Sequence, residues 1–344
     1  MNIRDIARLA NVTPGTVSKV LNHYPDISEH TRQHVMKIIQ ENQYTPSNNA
    51  RSLKLSSKIP QICIGMESVY NWVYQNMAER LSIRLHNADH TILFFNDNYY
   101  AQSKTEKFQE LLVYIDKHNI TGMVYFGCNF SEIPAQYFQS LPCPVIFVNT
   151  VLPNCLDTGT YSSVQVNHYE TAWKQMEYLI EKGHKDICML ISSRIDTSIY
   201  QVRWQAYEDV LKKHSLEHCL SHVVESDYRC HRAHRNLTGY LTDHPEITAI
   251  CSSADIMAPG ALRAIHDIGK APGRDIALIS FDGIESMSYC VPSIATFEQP
   301  QPEMVNYIYD LLLGLMENKR QHQHITFHAR FMENESCTGT AGQA

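Results

Sequence analysis

The sequence predicts an α/β chain in two parts: a small helical head, then a large body of two parallel-sheet lobes. Three observations carry this. Residues 1–58 read as three short amphipathic helical segments with a basic charge balance. From residue 60 onward, continuous β-branched apolar runs alternate with helical stretches, the pattern of buried parallel strands between helices. Roughly ten such units are too many for one sheet of ordinary size, so two lobes are expected.

Composition agrees. The 344 residues exceed one domain, since domains usually hold ~100–200 residues. Hydrophobic residues at 44% and charged residues at 19% are ordinary for a globular protein. Residues 1–58 carry a net +4, so the remainder carries −11 of the total −7. A basic head on an acidic body implies that the head meets a polyanion. No run of about 18 apolar residues exists, so no membrane span is expected. The chain opens with Arg4, Asp5 and Arg8 rather than a basic patch and an apolar core, which reads as lacking a secretory signal. The ten cysteines include no C-x-x-C pair and read as reduced thiols of a cytoplasmic protein.

In the head, Ile3, Ile6, Ala7 and Ala10 share one face of the first helix. Thr13 caps the second, Pro14 suits its first turn, and Val17, Val20 and Leu21 form its buried stripe. Ser28 caps the third, with Val35, Ile38 and Ile39 inward. Only Asn11 and Val12 separate the first two helices, the plan of a helix-turn-helix. With the apolar stripe inward, Pro14, Gly15, Thr16, Ser18, Lys19 and Asn22 lie toward or beside solvent. Small hydroxyl, amide and ammonium groups suit phosphate oxygens and base edges.

In the body, strands are expected at 62–66, 91–96, 122–126, 145–149, 164–167, 187–192, 223–225, 249–252 and 276–281. Helices are expected at 76–87, 104–118, 169–181, 200–213, 256–268 and 302–316. No phosphate-binding G-x-x-x-x-G-K, no G-x-G-x-x-G after a strand and no G-x-S-x-G occurs, so no enzyme activity and no cofactor are expected. His214, His218 and His222 are four apart, with Cys219 beside them, followed by His231 and His234. The helical pattern fails near Ser215, so these read as solvated loop histidines, as do His322, His324 and His328, and no metal is expected.

The words IRDIARLANVTPGTVSKVLN and ISEHTRQHVMKIIQENQYTPSNNARSLK resemble the lactose/galactose repressor family of transcription factors. The resemblance continues through Tyr178–His184, Arg203-x-x-Ala206-Tyr207, Asp255-x-x-Ala258-x-Gly260-Ala261-Leu262, Ser280-Phe281-Asp282 and Thr296-x-x-Gln299-Pro300, covering about Asn2 to Cys337. It implies that the second helix enters the major groove of an operator. Pro14, Gly15 and Lys19 would read bases there; Thr16, Ser18 and Asn22 would mostly hold phosphate or pack, and Thr13 belongs to the same DNA-binding set. The segment SNNARSLKL would be a hinge helix. Leu53 would wedge into the minor groove, Ala50 would let two hinge helices approach across a dyad, and Lys54 would reach the groove floor or a phosphate.

For the body the resemblance implies a periplasmic-binding-protein-like frame with a small ligand between the lobes. Arg203 would donate a planar fork to ligand oxygens and Asp282 would accept ligand hydroxyls. Asp255, Tyr228, Trp72 and Tyr74 complete the expected effector set, the aromatics stacking on a sugar or base. The chain departs from the family in having Ala254-Asp255 where Asn-Asp is usual, and Asn167-His168 where Asp precedes Asn or Glu. Both changes imply an altered pocket.

The expected organisation is a head at 1–46, a hinge and linker at 47–58, a body at 59–338 and a flexible tail at 339–344. Lobe 1 is expected at about 59–160 plus 293–320, and lobe 2 at about 161–292 plus 321–338. The function expected is a homodimeric repressor of a carbohydrate-utilisation operon, binding double-stranded operator DNA under control of a sugar, a sugar phosphate or a purine. The alternative is a sugar-binding solute receptor without DNA regulation. An enzyme on the same frame is a further rival.

Overall fold

In the computed structural model, residues 3–21, 27–42, 60–66, 71–96, 103–194 and 199–338 are described. Contacts divide the chain into a unit ending at Pro60 and a unit starting at Gln61.

In the first unit, α1 (Ile3–Leu9), α2 (Pro14–Leu21) and α3 (Glu29–Glu41) enclose a small core of Ile6, Ala7, Ala10, Val17, Val20, Val35 and Ile39. Burying each larger member contributes roughly 1.5–3 kcal/mol. Helix α1 ends where Asn11 turns left-handed at φ 53°, Val12 N–H donates to the Ala7 carbonyl, and Asn11 N–H to Arg8. This αL stop folds α2 back onto α1. The Thr13 hydroxyl accepts from Thr16 N–H at 3.2 Å, and Ser28 does the same for Thr31 at 3.2 Å, so both caps form as expected.

Among the described residues, the second unit holds two six-stranded sheets. The first is ordered β11 (His324–Phe327), β5 (Ser162–Val166), β4 (Val145–Val148), β3 (Ile120–Phe126), β1 (Gln61–Met66), β2 (Thr91–Asn96), all parallel. The second is ordered β12 (Arg330–Met332), β10 (Ala295–Glu298), β9 (Ala277–Asp282), β8 (Ala249–Ser252), β6 (Ile187–Ile191), β7 (Val223–Glu225). There only β12 runs antiparallel. Helices α4 (Trp72–Asn87), α5 (Lys104–Lys117), α6 (Ala135–Gln139) and α11 (Gln301–Met316) accompany the first sheet. Helices α7 (His168–Glu181), α8 (Tyr200–Lys213), α9 (Cys230–Asp243) and α10 (Ala258–Asp267) accompany the second. No described helix is long and apolar enough to cross a membrane.

The lobe boundaries differ from those expected. Strand β5 closes the first sheet rather than opening the second, β10 belongs to the second, and β11 returns to the first. Each crossing thus comes one strand late, at Asn167, at Gln299–Pro300 and at His328–Ala329. A strand's own pattern shows that it is buried, whereas its sheet is chosen by long-range backbone pairing, such as Ile146 with Ser162. Strands β10, β11 and β12 and helices α6 and α9 were not expected at all. In α9 only Ala233, Leu237 and Leu241 are buried, too sparse an apolar stripe among polar residues to mark a helix. His231 and His234 consequently lie in this helix, not in a loop.

Candidate functional site

In the head, Thr13, Pro14, Gly15 and Lys19 are exposed and Thr16 is half-buried, so the second helix presents them together on the surface away from Val17 and Val20. Among the described residues, a side chain at Gly15 would meet nothing closer than the Thr13 hydroxyl at 3.6 Å, so packing among them does not require glycine there. The Ser18 side chain, Asn22, Ala50, Leu53 and Lys54 lie outside the described residues, as do the hinge and the tail.

In the body, the strand ends and the crossings meet in one buried chain of hydrogen bonds. Asn149 follows β4 and donates through Nδ2 to Gln299 Oε1 at 3.1 Å. Gln299 follows β10 and donates through Nε2 to Asp282 Oδ1 at 2.8 Å. Asn149 Oδ1 accepts from Val166 N–H at 2.9 Å and pairs with His168 Nε2 at 3.2 Å. Arg203 Nη2 donates to His168 Nδ1 at 3.2 Å, while Nη1 donates to the Ser253 carbonyl. Residues of both sheets and two of the three crossings are thereby tied together. Carboxyl ends of parallel strands are where open α/β sheets place ligands.

Arg203 is only 7% exposed, and its guanidinium lies 3.9 Å from the Phe281 ring centroid. It does not pair with Glu208, which instead accepts from Trp204 Nε1 at 2.8 Å. Arg203 Nε and the Ser253 hydroxyl are buried and find no partner among the described residues. An unsatisfied buried polar group costs about 1–3 kcal/mol, and these two belong to residues already joined through Arg203 Nη1 and the Ser253 carbonyl. Burial, then the Arg203 charge, hold His168 well below the ordinary imidazole value, so it is neutral.

Asp282 ends β9 with φ 131°, followed by Gly283 at φ 75°. Burial lifts its carboxyl to about 7; the Arg203 charge works against that rise and the Asp255 charge adds to it. Tyr228 is exposed at 42% and sits left-handed at φ 54°, directly after Asp227 at φ 49°. A strained pair at the end of β7 holds that ring outward. Trp72 is exposed at the first position of α4, which Asn71 caps by accepting from Tyr74 N–H at 3.1 Å. Tyr74 packs on Phe126 at 5.9 Å and against Gly127, where any side chain would collide with its ring.

One expected ligand contact is corrected. Asp255 is fully buried and both its oxygens are used internally, accepting from Ile284 N–H and the Thr296 hydroxyl, each at 2.8 Å. It fixes the turn that carries Asp282. The sequence reading also missed Asn149, His168, Gln299 and Ser253 as parts of the site. In the sequence, His168 and Gln299 stand out only as family positions, and Asn149 only as a strand end.

The sequence matches the family described as bacterial regulatory proteins, lacI family, over residues 2–47. It matches the periplasmic binding protein-like domain over residues 176–337. It is 29% identical over 337 residues to the HTH-type transcriptional regulator MalR of Clostridium butyricum, covering 98% of this chain and 99% of that one. It is 26% identical over 340 residues to the HTH-type transcriptional repressor PurR of an Escherichia coli O139:H28 strain, covering 97% and 96%. These relatives are regulators rather than enzymes. The fold matches that of a Lac repressor dimer bound to operator and an anti-inducer, with a TM-score of 0.69, 19% identity and 99% of each chain covered. It also matches a transcriptional regulator CelR–cellobiose complex, with a TM-score of 0.68, 18% identity, and 98% and 99% covered.

Proposed function

Because the chain belongs to the lacI family of bacterial regulatory proteins, with a periplasmic-binding-protein-like body, we propose how this DNA-binding repressor is controlled. It is a cytoplasmic homodimer that grips a near-palindromic operator of a carbohydrate-utilisation operon. A sugar or sugar phosphate between its lobes sets that grip. The observation that carries the reading is Arg203, buried and bonded to the Ser253 carbonyl, while its Nε–H and the Ser253 hydroxyl find no partner among the described residues. A polyhydroxylated or phosphorylated ligand supplies oxygens to both, and its hydroxyls suit Asp282 on the neighbouring strand end. Such a ligand adds contacts to a hydrogen-bond chain that already spans the two sheets, so it favours one lobe arrangement over another. The related regulator whose structure is described as a cellobiose complex supports the carbohydrate class.

Pro14, Gly15 and Lys19 are the proposed base readers, with Thr13, Thr16, Ser18 and Asn22 on phosphate or packing. Ala50, Leu53 and Lys54 serve the hinge. The test is a thermal-shift screen of sugars, sugar phosphates and purines, paired with gel shifts on the protein's own upstream promoter fragments. A carbohydrate should raise the melting temperature and alter operator affinity, and Arg203→Ala should abolish both responses. A shift that persists in that variant moves the site elsewhere; a purine hit replaces the ligand class.

A further inference from the structure

We propose that His222, His244 and Glu246 form a surface site for a divalent transition-metal ion, at the far end of lobe 2 from the effector cleft. One donor atom from each residue lies within 4.8 Å of the other two. His222 immediately precedes β7, His244 ends α9, and Glu246 lies on the segment leading into β8, so three separate elements converge there. The site is remote from the cleft, because the residues on the effector side follow the carboxyl end of β7, and three residues of strand rise ~10 Å.

Two features make this more than a chance meeting of polar groups. Tyr240 orients both rings: its hydroxyl bonds His222 Nδ1 at 2.9 Å, and its ring stacks on His244 at 4.2 Å with a 28° tilt. With Nδ1 held by Tyr240, Nε2 is the nitrogen that His222 offers to a metal. Bound histidines commonly place their other nitrogen on such an outer partner, which fixes ring and tautomer. Glu246 is already aligned, with Oε1 2.9 Å from His244 Nδ1.

The donor set selects the ion class. Two imidazoles and one carboxylate suit zinc, nickel or cobalt, whereas calcium and magnesium prefer all-oxygen shells. Metal–ligand distances of about 2.0–2.2 Å require donors about 3.4 Å apart in a tetrahedron, so spacings of up to 4.8 Å close by up to about 1.4 Å while the 2.9 Å His244–Glu246 contact opens slightly. Glu246 is exposed and both histidines are only half-buried, so side-chain rotation supplies that movement. Three protein ligands leave a fourth position for water. A bound ion staples the end of α9 to the start of β7 and stabilises lobe 2. Of the three histidines that the sequence spaces four apart, His222 belongs to the site and the other two do not: His214 pairs with Glu177 at 3.0 Å and His218 with Asp186 at 3.2 Å.

The experiment is calorimetric titration of ZnCl2 and of NiCl2 into full-length, EDTA-stripped protein, with MgCl2 as control and metal-dependent melting as a second readout. One saturable zinc or nickel site per chain is expected, with a matching rise in melting temperature. His222→Ala and His244→Ala should each weaken it at least about tenfold, and Tyr240→Phe should weaken it about tenfold through its outer hydrogen bond. His218→Ala should bind as the parent does. The metal-free melting temperature of each variant checks that it folds. Absence of a saturable site, or undiminished binding by folded His222→Ala, overturns the proposal, as does equal binding of magnesium.

Discussion

Arg203 Nη2 lies 3.2 Å from His168 Nδ1, and this one contact sets the direction of the interlobe hydrogen-bond chain. A guanidinium only donates, so His168 Nδ1 accepts and its proton sits on Nε2. Nε2 then donates to Asn149 Oδ1, leaving the Asn149 amide nitrogen to serve Gln299 and the Gln299 nitrogen to serve Asp282. Donation runs from a fixed cation through three orienting groups toward a carboxyl.

A second proton on His168 would face Arg203, so this imidazole stays neutral when the unfolded chain, near pKa 6.5, becomes charged. Stability from His168 is complete above that pH and drains as pH falls, by up to about 1.4 kcal/mol per pH unit. His168→Gln keeps one acceptor and one donor but does not titrate. Melting curves between pH 7.5 and 5.5 should therefore fall less steeply for the variant; parallel curves would refute the assignment.

Asp282, lifted to about 7 by burial, carries its proton in part at neutral pH. Its folded value lies above the unfolded one, so its contribution to stability is present in acid and lost as pH rises through 7. Ligand hydroxyls favour the carboxylate, so effector affinity should climb between pH 6 and 8 and the complex should release a proton. Calorimetry in two buffers of different ionisation enthalpy measures that release. Asp282→Asn should show neither effect.

Tyr228→Gly separates strain from recognition. The left-handed backbone at φ 54° suits glycine, so stability should stay within about 1 kcal/mol of the parent. Loss of a stacked ring, worth ~0.5–1.5 kcal/mol, should cost up to about tenfold in effector affinity. An affinity unchanged in calorimetric titration would remove Tyr228 from the site.

Asp255→Ala should behave differently, losing about 3 kcal/mol of unfolding free energy in urea because the Ile284 N–H and Thr296 hydroxyl are left buried without an acceptor. A variant of parental stability would mean that the turn does not depend on this carboxylate.

Gly15→Ala tests the reading helix. With only the Thr13 hydroxyl near at 3.6 Å among the described residues, the head should fold with parental stability or slightly more. Operator affinity in gel shifts should fall, because the added methyl enters the space between helix and base edges. The parent should itself lose about 10³–10⁵ in affinity between 50 and 200 mM salt if each dimer neutralises about 6–10 phosphates. A flat salt response would argue against the grip proposed.

Local pattern alone determined much of this protein. The caps at Thr13 and Ser28, the inward faces of the head helices and most parallel strands follow from residue spacing, which encodes burial directly. Arg203 and Asp282 were legible through family words and proved to be neighbours in one network. Only the tertiary structure decided that β5, β10 and β11 each finish the lobe that the chain is leaving, because the pairing partner of a strand lies far away in sequence. It also enclosed Asp255, aligned Asn149, His168 and Gln299 between the sheets, and brought His222 to His244. Whether a polar side chain meets solvent, a ligand or a buried donor depends on what surrounds it, and those neighbours come from distant segments.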